Sequence, residues 1–125
     1  MSTIAMVKAA EKRLKGKVRR TPMLTSPFLD NVAGRKVLVK AECLQHTGSF
    51  KFRGAWSAIS NLPKEERARG VIAFSSGNHA QGVALAASMH KTKAVIIMPE
   101  DAPRIKIENT KALKAKVVLY DRAGG

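Results

Sequence analysis

Three short apolar runs, separated by helical patterns, dominate the second half of the chain. Each run has the length and unbroken apolar character of a strand buried on both faces of a parallel sheet; the runs lie at 71–74, 94–98 and 117–120. Alanine and valine at helical spacing over 80–87 predict a helix narrow enough to pack closely on that sheet. The alternation predicts an α/β fold, an open parallel sheet with flanking helices built as a βαβαβ unit with right-handed crossovers.

Helical spacing also marks three other stretches. Residues 2–15 predict a short amphipathic helix. Apolar side chains at i, i+3, i+4, i+7 and i+10 over 52–62 predict a helix with one apolar stripe, in which Trp56 is a core residue. Asp101-Ala102-Pro103 supplies a cap and an early proline for a third helix that runs to about residue 115.

The segments between these helices are less regular. Proline, aspartate, asparagine and glycine over 27–34 predict a loop around a single helical turn. Residues 36–42 alternate well enough to predict a strand. Residues 64–69 form a charged connection or a further helical turn before the first strand of the parallel sheet.

Length and composition predict one globular domain. The chain has 125 residues, 45% of them apolar and 26% charged. No apolar run approaches the roughly 18 residues that a membrane span needs, so no membrane association is expected. Cys43 is the one cysteine and can form no disulfide within the chain, which predicts a reducing compartment, most simply the cytoplasm. We expect Cys43 to be a small buried residue at a strand end, and His46 and His90 have no partner at metal-ligand spacing, so we predict no metal site.

The net charge of +14 is unusual and raises the question of a polyanionic partner. The basic residues are scattered, with one dense run over 12–20, and aromatic side chains that could stack on bases are few. We therefore do not expect nucleic acid as the partner. The basic run is interpreted as a solvated face or as a surface that meets acidic protein.

A lysine stands where a strand leads into a helix. Lys51 follows the turn Thr47-Gly48-Ser49, so it falls in the first helical turn, near free backbone N–H groups and the positive end of the helix dipole. An ammonium there costs a few tenths to about 1 kcal/mol, whereas the neutral amine is the form that attacks a carbonyl to make an imine. Lys51 is a candidate Schiff-base former; the alternative is a solvated surface lysine. Arg53 is interpreted as a structural ion-pair partner.

A second polar stretch, Ser75 to His79, follows the strand at 71–74 and precedes the helix over 80–87. In open α/β sheets, ligands bind where such loops lead into helix N-termini. Hydroxyls, a glycine and consecutive N–H groups at this place predict a site for a small anion such as a carboxylate. The alternative is that Ser76 or Asn78 only caps the helix.

Two stretches, 40–55 with Ser-Phe-Lys-Phe-Arg-Gly-Ala and 75–84 with Ser-Ser-Gly-Asn-His-Ala-Gln-Gly, resemble the hallmark motifs of fold type II pyridoxal-phosphate enzymes. More narrowly, they are similar to the group of threonine/serine dehydratases, hydroxyaspartate dehydratases and serine racemases. The likeness extends from Arg20-Thr21-Pro22 to residues 117–122. It implies that Lys51 holds pyridoxal 5'-phosphate as an imine and later moves the α-proton of the substrate.

The resemblance also implies roles for the neighbouring residues. Phe50 would pack on one face of the pyridine ring, and Asn78 would donate a hydrogen bond to the phenolic oxygen of the cofactor. In racemases a serine of this loop, here Ser76, protonates the opposite face. The substrate carboxylate would be held by the whole loop, Ser75, Ser76, Gly77, Asn78 and His79.

The reaction implied by the resemblance is ammonia-lyase (dehydratase) chemistry on a small β-hydroxy amino acid such as threonine or serine, which yields a 2-oxo acid and ammonia. Two alternatives stay open. One is an amino-acid racemase of the same family, and the other is a truncated or engineered α/β fragment without catalytic activity. The family resemblance further implies a homo-oligomer, a dimer, for the full-length protein.

The family pattern divides the chain in two. Residues 1–45 would form a helix, loop and strand segment of the larger domain, and 46–125 a small α/β domain that is incomplete at its C-terminal end. We expect the chain to be cut from something longer. The glycine-rich loop for the cofactor phosphate and the polar residue facing the pyridine nitrogen come later in the family than residue 125. Lys114 and Lys116 also depart from the family pattern, which more often has glycine and an acidic residue there.

Overall fold

The computed structural model describes residues 2–124 and has an α/β architecture. Three parallel strands lie side by side in sequence order, which confirms the predicted βαβαβ unit. No helix within the described residues is long and apolar enough to span a bilayer. The helices are α1 (Ile4–Leu14), α2 (Pro27–Ala33), α3 (Lys51–Asn61), α4 (Lys64–Arg69), α5 (Asn78–Met89) and α6 (Arg104–Ala112). The strands are β1 (Met23–Leu24), β2 (Val39–Lys40), β3 (Val71–Phe74), β4 (Ala94–Pro99) and β5 (Lys116–Tyr120).

The core lies between one face of the parallel sheet and the helix pair α3 and α5. Phe52 and Ile96 are fully buried, from α3 and β4 respectively, and the predicted core position of Trp56 is confirmed at 6% exposure. Each fully buried large apolar side chain stabilises the fold by about 1.5–3 kcal/mol. The small residues of α5, with Ala80, Ala84, Ala86 and Ala87 all buried, let that helix pack closely against both the sheet and α3.

The expectation that the first strand is buried on both faces is wrong. Along β3, Ile72 and Phe74 are 70% and 64% exposed, whereas Val71 and Ala73 pack against the core. The reason is the strand order. When consecutive strands are neighbours, right-handed crossovers place both connecting helices, α5 and α6, on the same side of the sheet. Strand β3 therefore has apolar residues on both faces, and within residues 2–124 the helices cover only one of these faces.

The strand predicted over 36–42 is much shorter in the structure. Only β2 pairs, antiparallel to β1, with Met23 opposite Lys40 and Leu24 opposite Val39. The chain then turns into a 3₁₀ helix at Glu42–Leu44, because local turn geometry overrides the alternating pattern. Cys43 lies in that turn and is exposed, so its prediction as a buried strand-end residue is wrong.

The third predicted helix begins later than Asp101. Helix α6 starts at Arg104, after Pro103 with non-helical backbone at ψ 125°, and no side chain caps it. Asp101 instead pairs with Arg122, at 3.2 Å between Oδ1 and Nη2. A residue before proline is biased toward extended geometry, so Ala102 does not join the helix.

Candidate functional site

Lys51 is the first residue of α3, which confirms its predicted place in the first helical turn. The turn before it contains two residues with left-handed backbone, Thr47 at φ 61° and Gly48 at φ 69°. The Lys51 side chain is exposed, and its Nζ lies 5.0 Å from the ring centroid of Phe50, which is itself 55% exposed. No acidic residue occupies the first turn of α3 to neutralise the ammonium. An accessible amine therefore stands beside an accessible aromatic face.

The loop from Ser75 to His79 continues directly from β3. The Ser75 N–H donates to the Ile97 carbonyl at 3.0 Å, and the Ser75 hydroxyl accepts from the Gly77 N–H at 3.2 Å. Helix α5 begins at Asn78 with Gly77 at its N-cap, and no side chain caps it. The alternative in which Ser76 or Asn78 merely caps the helix is therefore wrong, and the exposed side chains of Ser76, Asn78 and His79 are not used for capping.

The two predicted stretches meet where α5 crosses α3. Gly82 lies so close to α3 that an added Cβ would stand 3.0 Å from the Lys51 carbonyl carbon and 3.1 Å from the Phe52 nitrogen. Asn78 and Gly82 are four residues apart, so they share one face of α5, about 6 Å apart along its axis. The fold thus brings the start of α5 within about one helical turn of the Lys51 backbone.

One contact at this site was not predicted from the sequence. Lys106, on α6, donates from Nζ to Oδ1 of Asn78 at 2.6 Å. The two residues are distant in sequence, and Lys106 is one of many basic residues in a chain with 23 Lys and Arg. No local signal distinguishes it, because its partner is set by the packing of α6 beside α5.

The carboxylate of Glu42 links the first turn of α3 to the segment before it. Glu42 accepts from the Thr21 hydroxyl at 2.7 Å through Oε1, and its Oε2 forms an ion pair with Arg53 Nε at 3.0 Å. The predicted structural role of Arg53 is therefore confirmed. Nearby, burial and then the charge of Arg19 lower the pKa of His46, whose ring lies edge-on to Phe52 at 4.9 Å between centroids.

The donor groups at this place fit the ring portion of pyridoxal phosphate. The Lys51 amine can bond to an aldehyde carbon, the open face of Phe50 can cover an aromatic ring, and the Asn78 amide carries N–H donors for a ring oxygen. In the turn before Lys51, the hydroxyls of Thr47 and Ser49 are buried without a hydrogen-bond partner among residues 2–124. These features fit a polar aromatic aldehyde at the start of α3.

Two relatives are similar to nearly the whole chain. The L-threo-3-hydroxyaspartate ammonia-lyase of Pseudomonas sp. is 54% identical over 94% of this chain and 36% of its own length. The L-threonine ammonia-lyase of Thermotoga maritima is 50% identical over 95% of this chain and 30% of its own length. The chain therefore spans about a third of the length of the relatives that it matches.

Solved structures share the fold and support the same family. Maize serine racemase superposes with a TM-score of 0.91 at 39% identity, over 96% of this chain and 36% of its own. The threonine deaminase from T.th. superposes with a TM-score of 0.83 at 46% identity, over 97% of this chain and 37% of its own. The sequence model of the family described as pyridoxal-phosphate dependent enzyme matches residues 14–125, and this chain belongs to that family.

Proposed function

We propose that this chain supplies the lysine-bearing part of a pyridoxal-phosphate ammonia-lyase that acts on a small β-hydroxy amino acid such as threonine or serine. The observation that carries the proposal is the accessible Lys51 amine beside the Phe50 ring, at the point where the start of α5 packs on α3. The relatives at 54% and 50% identity, an L-threo-3-hydroxyaspartate and an L-threonine ammonia-lyase, support the reaction class.

Pyridoxal phosphate, when bound, supplies an aldehyde carbon for a lysine amine and a ring that accepts the electron pair left when the α-proton departs. Lys51 would hold the cofactor through Nζ until the substrate amine takes its place, and the freed Nζ would then accept the α-proton. Phe50 covers one ring face and excludes water from it. Asn78 donates to the ring oxygen. The overall change converts the β-hydroxy amino acid into a 2-oxo acid and ammonia.

The loop from Ser75 to His79 binds the substrate carboxylate in this proposal. Backbone N–H groups at the start of α5 can donate to an anion bound there, and α5 has no acidic residue in its first turn to repel one. Ser76 is exposed and makes no side-chain hydrogen bond within residues 2–124, so its hydroxyl is available to a ligand. The Ser75 hydroxyl is already engaged by Gly77 and shapes the loop.

A racemase is the second candidate, favoured by the structural likeness to maize serine racemase at a TM-score of 0.91. In that case the Ser76 hydroxyl delivers a proton to the face opposite Lys51. A chimera that joins residues 1–125 to the remaining part of the Pseudomonas relative separates the two. If Ser76→Ala leaves 2-oxo acid release in place and removes interconversion of serine enantiomers, both activities belong to the site. If the wild-type chimera interconverts no enantiomer, the racemase is excluded.

We also propose that 1–45 and 46–125 belong to different domains of the parent protein. The two-stranded sheet of β1 and β2 is separate from the three-stranded parallel sheet, which supports a boundary between them. Limited proteolysis of the chimera tests the boundary. Cleavage near residue 45 that leaves 46–125 joined to part of the remainder supports it, whereas protection throughout this region argues against it.

The site itself is tested by reductive trapping. The 125-residue chain is mixed with pyridoxal phosphate, reduced with borohydride and mapped by peptide mass spectrometry. Lys64 provides an internal control, because it is exposed and is also the first residue of a helix, α4, but makes no cation–π contact within residues 2–124. We expect labelling at Lys51 to exceed labelling at Lys64 by about tenfold, equivalent to about 1.4 kcal/mol. Equal labelling at the two lysines would refute a built site.

A further inference from the structure

We propose that Lys106 is a positioning residue of this site, which sets the orientation of the Asn78 side-chain amide. The inference rests on the proposed function, in which Asn78 donates to the ring oxygen of the cofactor. The contact that carries it is the 2.6 Å hydrogen bond from Lys106 Nζ to Asn78 Oδ1. It joins the first turn of α6 to the first residue of α5, at the place where these two helices pack side by side.

The chemistry of the two side chains decides which way the amide faces. A lysine ammonium has three donors and no acceptor, so it can bind only the oxygen of an asparagine side chain. Both N–H donors on Nδ2 of Asn78 then face away from Lys106. In this orientation the amide offers donors to an anionic ring oxygen. Turned by half a rotation, it would present its own oxygen and repel the same atom.

The electrostatics of the contact argue against a purely stabilising role. Lys106 places a positive charge beside the N-terminal end of α5, where the helix dipole disfavours cations. No acidic residue lies in the first turn of α5. The acid next to Lys106 on its own helix, Glu108, is occupied by Arg104 at 2.6 Å. Within residues 2–124 the Lys106 ammonium has no carboxylate within ion-pair distance, so its charge remains available to a bound anion.

Two hydrogen bonds fix the backbone of Lys106, and so they fix the point from which its side chain extends. The Thr110 hydroxyl, fully buried, donates to the Lys106 carbonyl at 2.7 Å, and the Lys106 N–H donates to the Pro103 carbonyl at 2.8 Å. Lys111 lies on the same helix and is exposed, but makes no side-chain hydrogen bond or ion pair within the described part of the chain. The two lysines therefore form a matched pair for substitution.

The first readout is direct and needs no cofactor. In proton–nitrogen correlation spectra of the 125-residue chain, the side-chain NH₂ pair of Asn78 is assigned by its loss in Asn78→Asp. We expect Lys106→Met to shift this pair while the NH₂ pair of Asn31, on α2, stays in place. Lys106→Arg retains a charged donor and should restore the wild-type position. Lys111→Met should leave both pairs unchanged.

The second readout is trapping of pyridoxal phosphate at Lys51 by borohydride. We expect Lys106→Met to lower the labelling of Lys51 about threefold to tenfold, as befits loss of one charge-assisted contact at a partly exposed place. Lys106→Arg should recover most of the labelling, and Lys111→Met should keep all of it. Lys106→Gln, which keeps a donor but no charge, should fall between Met and Arg. It also serves as the milder variant if Lys106→Met weakens the fold.

The outcomes separate this proposal from the function on which it rests. An unshifted Asn78 pair in Lys106→Met, or an equal loss of labelling in Lys111→Met, overturns the role of Lys106 while leaving the Lys51 site intact. Equal labelling of Lys51 and Lys64 in the wild-type chain overturns the site. The resonance measurement then still reports whether Lys106 orients Asn78.

Discussion

Gln45 pairs with the backbone of Arg19 as a neighbouring strand would. Its Nε2 donates to the Arg19 carbonyl at 2.8 Å, and its Oε1 accepts from the Arg19 N–H at 3.0 Å. The same oxygen accepts from the His46 N–H at 3.0 Å, and the side chain is 2% exposed. This amide ties the segment after α1 to the turn that leads into Lys51. The position of Lys51 therefore depends on a buried glutamine six residues earlier in the chain.

Replacing this glutamine with leucine should destabilise the fold. Gln45→Leu leaves the N–H and the carbonyl of Arg19 without partners, and we expect a loss of about 1–3 kcal/mol in the free energy of unfolding. Urea denaturation measures that loss, and trypsin should cleave after Arg19 faster than in wild type. Gln81→Leu is the control, because Gln81 is also buried but its Nε2 has no partner within residues 2–124. Equal losses in the two variants would contradict the pairing.

The close approach of α5 to α3 predicts opposite effects for one substitution at two glycines. Gly82→Ala places a methyl group 3.0 Å from the Lys51 carbonyl carbon and 3.2 Å from its oxygen, and backbone atoms cannot move aside cheaply. We expect it to cost about 1–3 kcal/mol and to lower borohydride labelling at Lys51. Gly54→Ala, inside α3 with nothing within 4 Å of the added methyl, should stabilise by about 0.5–1 kcal/mol. Denaturant titration of both variants measures the change in the free energy of unfolding. Changes of the same sign in the two variants would contradict the close packing of α5 on α3.

Two half-buried histidines predict a loss of stability in mild acid. Burial lowers the pKa of His90 below its ordinary value of 6.5, and the charges of Arg67 and Lys17 lower it further. Burial and Arg19 act likewise on the pKa of His46. Each histidine therefore binds a proton more readily in the unfolded chain than in the folded one. The free energy of unfolding should consequently fall as pH drops below about 6.5. Each histidine contributes at most about 1.4 kcal/mol per pH unit.

The control for this pH effect is a substitution that retains the ring. His90 stacks on Trp56 at 4.2 Å between centroids and contacts the Ser60 hydroxyl at 3.2 Å. His90→Phe keeps an aromatic ring there and removes the titrating group, so the slope of stability against pH should decrease between about pH 6.5 and 5. His46→Phe combined with it should decrease the slope further. A slope that stays at the wild-type value in the double variant would assign the acid sensitivity to other groups.

The sequence predicted those parts of the fold that depend on local patterns. The apolar runs and the helical stripes correspond to β3, β4, β5, α3 and α5, because periodicity within one element reports its own buried face. The uncovered face of β3 was not predicted. Ile72 and Phe74 are as apolar as Val71 and Ala73, and only the strand order determines which pair the helices cover. The short antiparallel pairing of β1 with β2 was missed for a similar reason, since it depends on residues distant in sequence.

Only the two motifs of the candidate site could be predicted from the sequence. Lys51 is recognisable because it is a cation at the start of a helix. The loop after β3 is recognisable because its hydroxyl groups directly precede a helix. Lys106 and Gln45 carry no such local signal. Each acts through one partner, Asn78 or the Arg19 backbone, that becomes a neighbour only when the helices pack. Their roles therefore required the structure.

The coupling energies of two of the ion pairs within residues 2–124 should depend more on burial than on distance. Arg53 and Glu42 are 3.0 Å apart, with side chains 38% and 16% exposed, and they hold the first turn of α3 against the segment before it. Arg104 and Glu108 are closer, at 2.6 Å, but their side chains are 92% and 56% exposed. Water screens an exposed pair and both side chains lose rotamer freedom, so such helix pairs contribute about 0.3–0.5 kcal/mol.

Double-mutant cycles measure this difference. We expect a coupling free energy of about 1 kcal/mol between Glu42→Gln and Arg53→Met, and at most about 0.5 kcal/mol between Arg104→Met and Glu108→Gln. Glutamine keeps the acceptor that the Thr21 hydroxyl uses, and the cycle cancels the separate effect on Lys40, whose Nζ lies 3.9 Å from Glu42 Oε1, so the coupling reports the pair of Glu42 and Arg53. Raising the salt concentration should reduce the exposed coupling more than the buried one, because screening acts through solvent. A larger coupling for the shorter, exposed pair would contradict the expectation that burial outweighs distance.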